Sequence, residues 1–487
     1  MMEQVFSKKS NLYLYFLFFF IILFSQFSYI DQEVIDWDES TFFVISKYLA
    51  NGDLLYVDYW DGKPPLIFFY LSLVFKFFGS SLLVGRLAGD LLILLNVIFV
   101  FKILDKNLTK FASVSSALFL IYLFSYKASQ PTMTEHLGVL FIVISTYLII
   151  YNDKFSNYYV LGILFSLAFN TRNNLAFACL GIIVYLFFEK KITIRDIFKI
   201  GSGFFSPILL MGLYFTFKDS LENYIYMLLE FPLQVSSYRM SFNEVKIEIY
   251  NKLNLDQSFS LELIFLICLV ATVLYSSKKF SYNNIPTSFK LSIIIFVSLV
   301  LSIIAGGRLF NHYLIQLFPF VAIISGYGFN LLQKRKLFQF VIVFIFIFLN
   351  FNLSEKGFKN FIDYEVINLN HPIKNISSSL DGLDLENKEF LVLENHIIYL
   401  YTDKITPFKV VHPSNLPNTA RYKTLLNSLS NLDITFENEF DLFVQNKPHY
   451  IFCEIECDLY IAQSFYEENY TLLIENKGLK LFQRNDQ

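Results

Sequence analysis

Charge is scarce in this chain. Lys, Arg, Asp and Glu together make up 17% of 487 residues, where a soluble globular protein carries about 25%. The net charge is −3, so there is no basic field to hold nucleic acid, and no nucleic-acid partner is expected. Cysteine is rarer still: four residues cannot form the framework of a disulfide scaffold. Cys179 and Cys268 lie in apolar runs and read as core fillers. Cys453 and Cys457 form a CxxxC. On a single strand they stand about 13 Å apart at roughly 3.3 Å per residue, too far to bridge, so both read as unbridged. Two cysteines alone make no zinc site, and no metal site is expected. With 18 Gly and 12 Pro against 58 Phe and 31 Tyr, collagen, linker and disordered classes are excluded. No internal repeat is visible, which argues against a transporter built from two related halves.

What is present is hydrophobicity, at 55% of residues. The pattern predicts an all-α polytopic membrane protein. Apolar runs at 11–30, 86–104, 111–127, 134–151, 158–171, 174–188, 198–217, 260–276, 289–305, 313–331 and 337–353 read as about eleven transmembrane helices. The first follows Lys8 and Lys9 but is too long for a signal peptide and lacks a small-residue cleavage site, so it reads as an anchor. Residues 66–78 are apolar but short, and they read as interfacial. With that choice Lys8/Lys9, Lys102/Lys106/Lys110, Lys154, Lys190/Lys191/Arg195, Lys278/Lys279 and Lys334/Arg335/Lys336 all fall on one side, the cytoplasmic one. The expected topology has the N-terminus inside, the C-terminus outside, and 31–85 as a large outer loop carrying two helices that lie on the membrane. Residues 218–259, mixing charge with aromatics, form a second outer segment.

After residue 353 polar residues rise and apolar runs shorten. Strands are expected at 389–395, 408–411, 450–456 and 471–484, with helices at 419–431, 437–446 and 458–469. The division is therefore a transmembrane domain over 1–353 and a small extracytoplasmic α/β domain over 354–487.

The first outer loop opens with DQEVIDWDES. Asp31 and Glu33 read as a solvated helix end. Phe42, Ile45 and Leu49 have helical spacing, so an amphipathic helix is expected from Glu39 to near Gly52 with Asp38 as its N-cap. Asp38 then has two readings, cap or functional acid. Asp36-Trp37-Asp38 also forms a DxD, a triplet that an Asp-rich chain shows by chance. Further on, Pro64 and Pro65 preset a helix start and hold Lys63 extended before it. A cation there is disfavoured by the helix dipole unless an anion binds, and a phosphate would suit both lysine and free N–H groups. The plain alternatives are a snorkelling lysine or a pair with Asp61. Arg86, Glu135, His136, Arg172, Arg308, His312 and Tyr313 stand at span ends that map to the same outer level, where charges usually face a cavity.

Taken together, DESTFFVISKYLANGDLLYVDYWDGKPPLIFFYLSLVFKFFG, VGRLAGDLL, PTMTEHLGVLF, SLAFNTRNNLAFACLG and GGRLFNHYLIQLFPF resemble the GT-C glycosyltransferases of family 39, which include the lipid A aminoarabinose transferases and protein O-mannosyltransferases. The resemblance covers roughly residues 10–353. It implies a polyprenyl-phosphate sugar as donor and a lipid, glycan or protein as acceptor. It also implies Asp38 as the catalytic acidic residue beside Glu39, Lys63 at the lipid phosphate, Glu135 as a second acidic position, Arg172 as a basic one, and Arg308, His312 and Tyr313 near the phosphate. Asp61 and Arg86 complete the candidate substrate-binding set. No nucleotide sugar or obligatory metal is implied. The aminoarabinose enzymes carry an acidic residue where this chain has Gly62, with Asp61 one position earlier, which speaks against aminoarabinose as the donor. The soluble insert of eukaryotic mannosyltransferases is absent from the sequence.

The residues suit inverting sugar transfer. A lipid phosphate leaves readily, so the chemistry needs a base for the acceptor hydroxyl and cations for the departing phosphate. A lipid-linked-sugar flippase would instead place polar residues near the bilayer midplane. An O-antigen polymerase or ligase usually lacks both the acidic pair after the first span and the KPP.

Overall fold

The computed structural model describes residues 2–126, 129, 131–151, 157–236, 243–244, 246–247, 285–307, 310–331, 336–380, 389–404, 406–412, 444–454 and 463–485, with side chains for all of these except 2–10, 234–236, 338, 352 and 353. In chain order the helices begin with α1 (Met2–Phe27), α2 (Trp37–Asn51), α3 (Leu66–Phe78), α4 (Leu82–Asp105), α5 (Lys110–Phe124) and α6 (Thr134–Tyr151). Next come α7 (Tyr158–Thr171), α8 (Ala176–Phe188), α9 (Ile194–Thr216), α10 (Leu221–Ile225) and α11 (Phe231–Ser236). The series continues with α12 (Thr287–Gly306), α13 (Phe318–Leu331), α14 (Lys336–Ile362), α15 (Tyr364–Leu369) and α16 (Pro372–Leu380). The tail adds β1 (Phe390–Val392), α17 (Ile398–Tyr401), β2 (Tyr450–Cys453), α18 (Gln463–Asn469), β3 (Tyr470–Asn476) and β4 (Leu479–Arg484).

Each apolar run read as a span coincides with a helix, apart from 260–276, which lies outside the described residues. Among the described residues, five helical segments are long and apolar enough to cross a membrane: α4, α6, α9, α12 and residues 339–362 of α14. α3, with 13 residues, is about 20 Å long and falls short of a hydrocarbon core of about 30 Å.

The chain forms two compact units. One comprises Met1–Ser28, Gly89–Met211 and Arg239–Lys359. Within it α5 packs on α13, α6 on α7, and α12 on both α8 and α13. α7 and α9 meet through glycine: a Cβ on Gly162 would strike the Ile200 carbonyl, and one on Gly203 the Tyr159 carbonyl. Such small residues let apolar helices approach where lipid offers no competing hydrophobic drive. Asn96, buried in α4, donates to the His136 carbonyl on α6 at 3.0 Å.

The other unit comprises Tyr29–Ala88, Gly212–Tyr238 and Asn360–Gln487. Its centre is α2 against α3, with Phe42 edge-on to Phe68 at 5.6 Å and Phe43 edge-on to Phe75 at 5.8 Å. The sequence suggested a helix with one solvated face. Instead α2 is buried from Asp38 to Ser46 and again at Tyr48, because the tail covers the other side. Lys47 Nζ donates to the carbonyls of Tyr399 (2.9 Å), Leu400 (3.3 Å) and Thr402 (2.6 Å), which satisfies the C-terminus of α17 with a cation. Thr41 and His396 are hydrogen-bonded at 3.0 Å.

Several sequence expectations need correction here. Asp36, not Asp38, caps α2: its carboxylate accepts from the Asp38 N–H at 2.8 Å. The periodic apolar residues begin late, so they placed the helix start about two residues too far along. Glu33 is buried rather than solvated. Its carboxylate accepts from the N–H groups of Ile373 (2.8 Å) and Lys374 (2.9 Å), capping α16 from far along the chain. Burial nonetheless pushes its carboxyl above the usual range. Asp31 is exposed, as expected.

The tail holds a four-stranded sheet in the order β1-β2-β4-β3. β1 and β2 are parallel, with Leu391 opposite Ile451, while β4 is antiparallel to both β2 and β3. The β3–β4 turn uses Lys477 (φ 52°) and Gly478 (φ 86°), the two positive φ values of a tight hairpin. The expected strand at 408–411 is not part of this sheet; Val410 instead forms a parallel bridge with Trp60 of the first loop. Cys453 is disulfide-bonded, against the unbridged reading. β2 ends at Cys453, and Cys457 lies outside the described residues. Of the expected tail helices, 458–469 appears in part as α18; 419–431 and most of 437–446 lie outside the described residues.

Candidate active site

The first cluster lies in the unit built on α2 and α3. Asp38 stands in the first turn of α2, and both of its carboxylate oxygens are engaged. Oδ2 accepts from Lys63 Nζ at 2.7 Å. Oδ1 contacts His412 Nε2 at 2.9 Å. An ionised carboxylate only accepts, so Nε2 carries the hydrogen in this contact. The side chains of Lys63, Asp38 and His412 are 19%, 10% and 5% exposed.

Lys63 is held from several directions. Its carbonyl accepts from Tyr56 Oη at 2.7 Å, and its ammonium lies 5.9 Å from the centre of the Phe42 ring. Pro64 and Pro65 follow, and α3 begins at Leu66 without a side-chain cap. The turn therefore presents a cation beside unsatisfied backbone donors, an arrangement suited to an anion. Where the sequence suggested a plain pairing with Asp61, Lys63 pairs with Asp38.

Asp36 completes the acidic cluster. Burial first, and the charge of Asp38 second, lift its carboxyl from 3.8 to about 6. Glu39, by contrast, is locked into a buried pair. Arg86 donates to its Oε2 from Nη2 (3.0 Å) and Nε (3.3 Å), and also binds the carbonyls of Tyr29 and Glu33 at 3.2 and 3.4 Å. The structure thus gives Arg86 and Glu39 to each other, as a clamp on the first loop.

A second cluster lies in the other unit. Glu135, at the start of α6, is 1% exposed and pairs with Arg172, the C-cap of α7. Thr134 Oγ1 donates to its other oxygen at 2.9 Å. His312 Nε2 is 3.8 Å from Glu135, and the Arg172 guanidinium lies 4.2 Å from the centre of the Tyr313 ring. Arg172 Nε donates to Asn174 Oδ1 at 3.0 Å, and Asn174 in turn donates to Ser302 and Gln316. Glu135, Arg172, His312 and Tyr313, separated by up to 178 positions, therefore meet at one place. Arg308 lies outside the described residues.

With this geometry in hand, comparison with known proteins identifies the architecture. The structure of ArnT from Cupriavidus metallidurans bound to undecaprenyl phosphate superposes with a TM-score of 0.61 at 11% identity, covering 97% of this chain and 98% of that one. The chain has an ArnT-like GT-C fold. The apo form of the Cupriavidus metallidurans ArnT gives 0.59 at 11% identity, with 98% of each chain covered. Residues 62–215 match the family model described as dolichyl-phosphate-mannose-protein mannosyltransferase. No curated protein sequence matches the chain. The resemblance drawn from the first outer loop therefore holds at the level of fold, and the matched stretch begins at Gly62-Lys63-Pro64-Pro65.

On this GT-C frame the departure at Gly62 has a physical cause. A Cβ there would come within 2.8 Å of the Phe231 ring, which packs edge-on to Trp60 at 5.1 Å. No acidic side chain fits without moving that ring. Sequence reasoning missed His412, Thr134 and Asn174. Thr134 and Asn174 flank residues it had chosen. His412 carried one weak signal: four of the chain's six His fall after residue 353, in a segment read as a separate domain.

Proposed function

We propose that this chain is a membrane glycosyltransferase. It moves a hexosyl or pentosyl unit from a polyprenyl-phosphate carrier to a hydroxyl of an envelope glycan, glycolipid or protein, on the outer face of the inner membrane and with inversion. The observation that carries this reading is the Asp38–Lys63 contact at 2.7 Å, with Lys63 fixed before the uncapped start of α3. Base and phosphate-binding cation then stand side by side, as single displacement requires. The undecaprenyl phosphate bound to the similar ArnT and the family match over 62–215 support the carrier class.

In the proposed reaction the carrier phosphate takes Lys63 and frees Asp38 Oδ2. The acceptor O–H bond breaks and its proton passes to Oδ2. The acceptor oxygen bonds to the anomeric carbon as the bond to phosphate breaks, and polyprenyl phosphate leaves as a dianion held by Lys63. Asp38 is preferred over Glu39 as the base because Glu39 is buried under Arg86. Arg172, His312, Tyr313 and Glu135 are assigned to donor binding, as the resemblance implies; Asp61 and Arg308 remain in that set as proposals. The tail from 354 onward is placed outside the membrane, following the one-sided basic residues.

The test is to follow radiolabelled sugar from its lipid carrier in proteoliposomes containing the purified protein and membrane extract of a deletion strain. Label appearing in a glycan, lipid or protein product supports transfer. Movement of intact lipid-linked sugar between leaflets without a new bond would make the chain a flippase. Growth of a repeating polymer would make it a polymerase.

A further inference from the structure

We propose that His412 is a positioning residue for the sugar-transfer site, so that the tail supplies part of the machinery. This inference rests on the reading that Asp38 is the base. Trp60 donates its N–H to the Lys409 carbonyl at 2.6 Å, and Trp60 bridges Val410 in parallel fashion. Two residues past this bridge stand Gly62 on one segment and His412 on the other, and Lys63 and His412 both reach Asp38. Trp60 is itself pinned: it is 1% exposed, its Nε1 donates to Met227 Sδ at 2.9 Å, and Phe231 packs on its ring. The bridge therefore holds the tail segment firmly beside the lysine turn.

From that position the imidazole reaches Asp38 Oδ1 at 2.9 Å, while Lys63 takes Oδ2. The division of labour follows from the two oxygens. When a carrier phosphate draws Lys63 away, Oδ2 becomes the proton acceptor and Oδ1 stays fixed by His412. The carboxylate then cannot rotate about its last torsion, and Oδ2 keeps its aim at the acceptor. Without the imidazole, Asp38 loses the hydrogen bond on Oδ1 at the moment Lys63 is shared. The Trp37 ring, edge-on to His412 with centroids 6.4 Å apart, flanks the imidazole. Nothing in the contact requires His412 to exchange a proton, so substrate chemistry is unchanged: the acceptor proton goes to Asp38.

The experiment compares His412→Ala, His412→Gln, His412→Asn and Asp38→Asn in the proteoliposome assay, using radiolabelled polyprenyl-phosphate sugars from native membranes as donor. Undecaprenyl phosphate serves as the binding probe in detergent. His412→Ala should lower the rate at saturating donor by roughly 10- to 150-fold, the range for a lost hydrogen bond to a charged group. Affinity for undecaprenyl phosphate should be unchanged. His412→Gln, whose amide reaches Oδ1, should recover most of the rate, whereas the shorter His412→Asn should not. In an Asp38→Asn background, His412→Ala should have no further effect. A folded His412→Ala with the wild-type rate would overturn the proposal. If His412→Ala does not fold, equal rates in the Gln and Asn variants would overturn it instead. Wild-type activity in Asp38→Asn would sink the underlying assignment of the base. Loss in Asp38→Asn with no effect at His412 would sink the positioning role alone.

Discussion

Replacing Lys63 separates its two duties, as counter-ion to Asp38 and as ligand of the carrier phosphate. Lys63→Met keeps much of the aliphatic stem and removes the charge. If the ammonium binds phosphate through a charge-assisted hydrogen bond, its loss costs about 1.5–3 kcal/mol, which is roughly a 10- to 150-fold weaker Kd for undecaprenyl phosphate. The same change strips Asp38 of a partner at 2.7 Å. An exposed pair is worth about 0–1 kcal/mol, and breaking a fully buried one costs about 3–5. Side chains 19% and 10% exposed lie between these limits, so a stability loss of about 1–3 kcal/mol is expected. The cation–ring contact at 5.9 Å adds at most about 0.5–1 kcal/mol. The double variant Lys63→Met/Asp38→Asn removes both charges. It should regain much of the lost stability and none of the lost affinity. The assay is a fluorescence titration of the detergent-solubilised protein with undecaprenyl phosphate, since both tryptophans of the chain, Trp37 and Trp60, flank this site, together with a thermal melt. A Kd equal to wild type in Lys63→Met would refute the phosphate role and leave Lys63 as the counter-ion of Asp38.

Asp38→Asn should reduce sugar transfer by about 10²–10⁴-fold while carrier binding persists. The cap of α2 belongs to Asp36, so retention of more than about a tenth of the rate would show that Asp38 is not the base. For Asp36, the folded carboxyl titrates at about 6 against 3.8, so the folded state holds an extra proton between these values. Stability therefore falls as pH rises through that window and is lowest, for this group, above it. Asp36→Asn, an equal cap, should melt no lower than wild type at pH 7.5, with the difference shrinking as pH falls toward 4; a variant clearly less stable at pH 7.5 would contradict the burial argument. Glu39→Gln removes the carboxylate that pairs with buried Arg86, and a loss of about 3–5 kcal/mol is expected in denaturation; an unchanged melt would show that the clamp is incidental. Topology is checked with Asp58→Cys and Lys106→Cys, both at exposed positions: an impermeant maleimide should label the first in intact spheroplasts and not the second.

The helices were legible in the sequence because each carries its own signal. A long apolar run must be helical in a bilayer, since only a helix satisfies every backbone group within one segment. Hence the run at 134–151 and α6 share their limits, as do 158–171 and α7. The KPP motif likewise announced the start of α3, because proline restricts the backbone locally. The acid and the lysine were legible for the same reason: both are unusual residues at marked positions in one short loop.

Tertiary structure alone decided which charges meet. Asp38 finds His412 across 374 positions, Glu33 caps a helix 340 positions away, and Glu39 pairs with Arg86 across 47. No periodicity encodes such pairs, since they depend on which backbone segments pack together after folding. The burial of α2 is of the same kind: its pattern is that of a surface helix, and it became a core helix because the tail covers its polar side. Sequence settled where the chain is helical, through constraints acting within a few residues. The fold settled which side chains meet, because partners far apart in the chain are selected by distance in space.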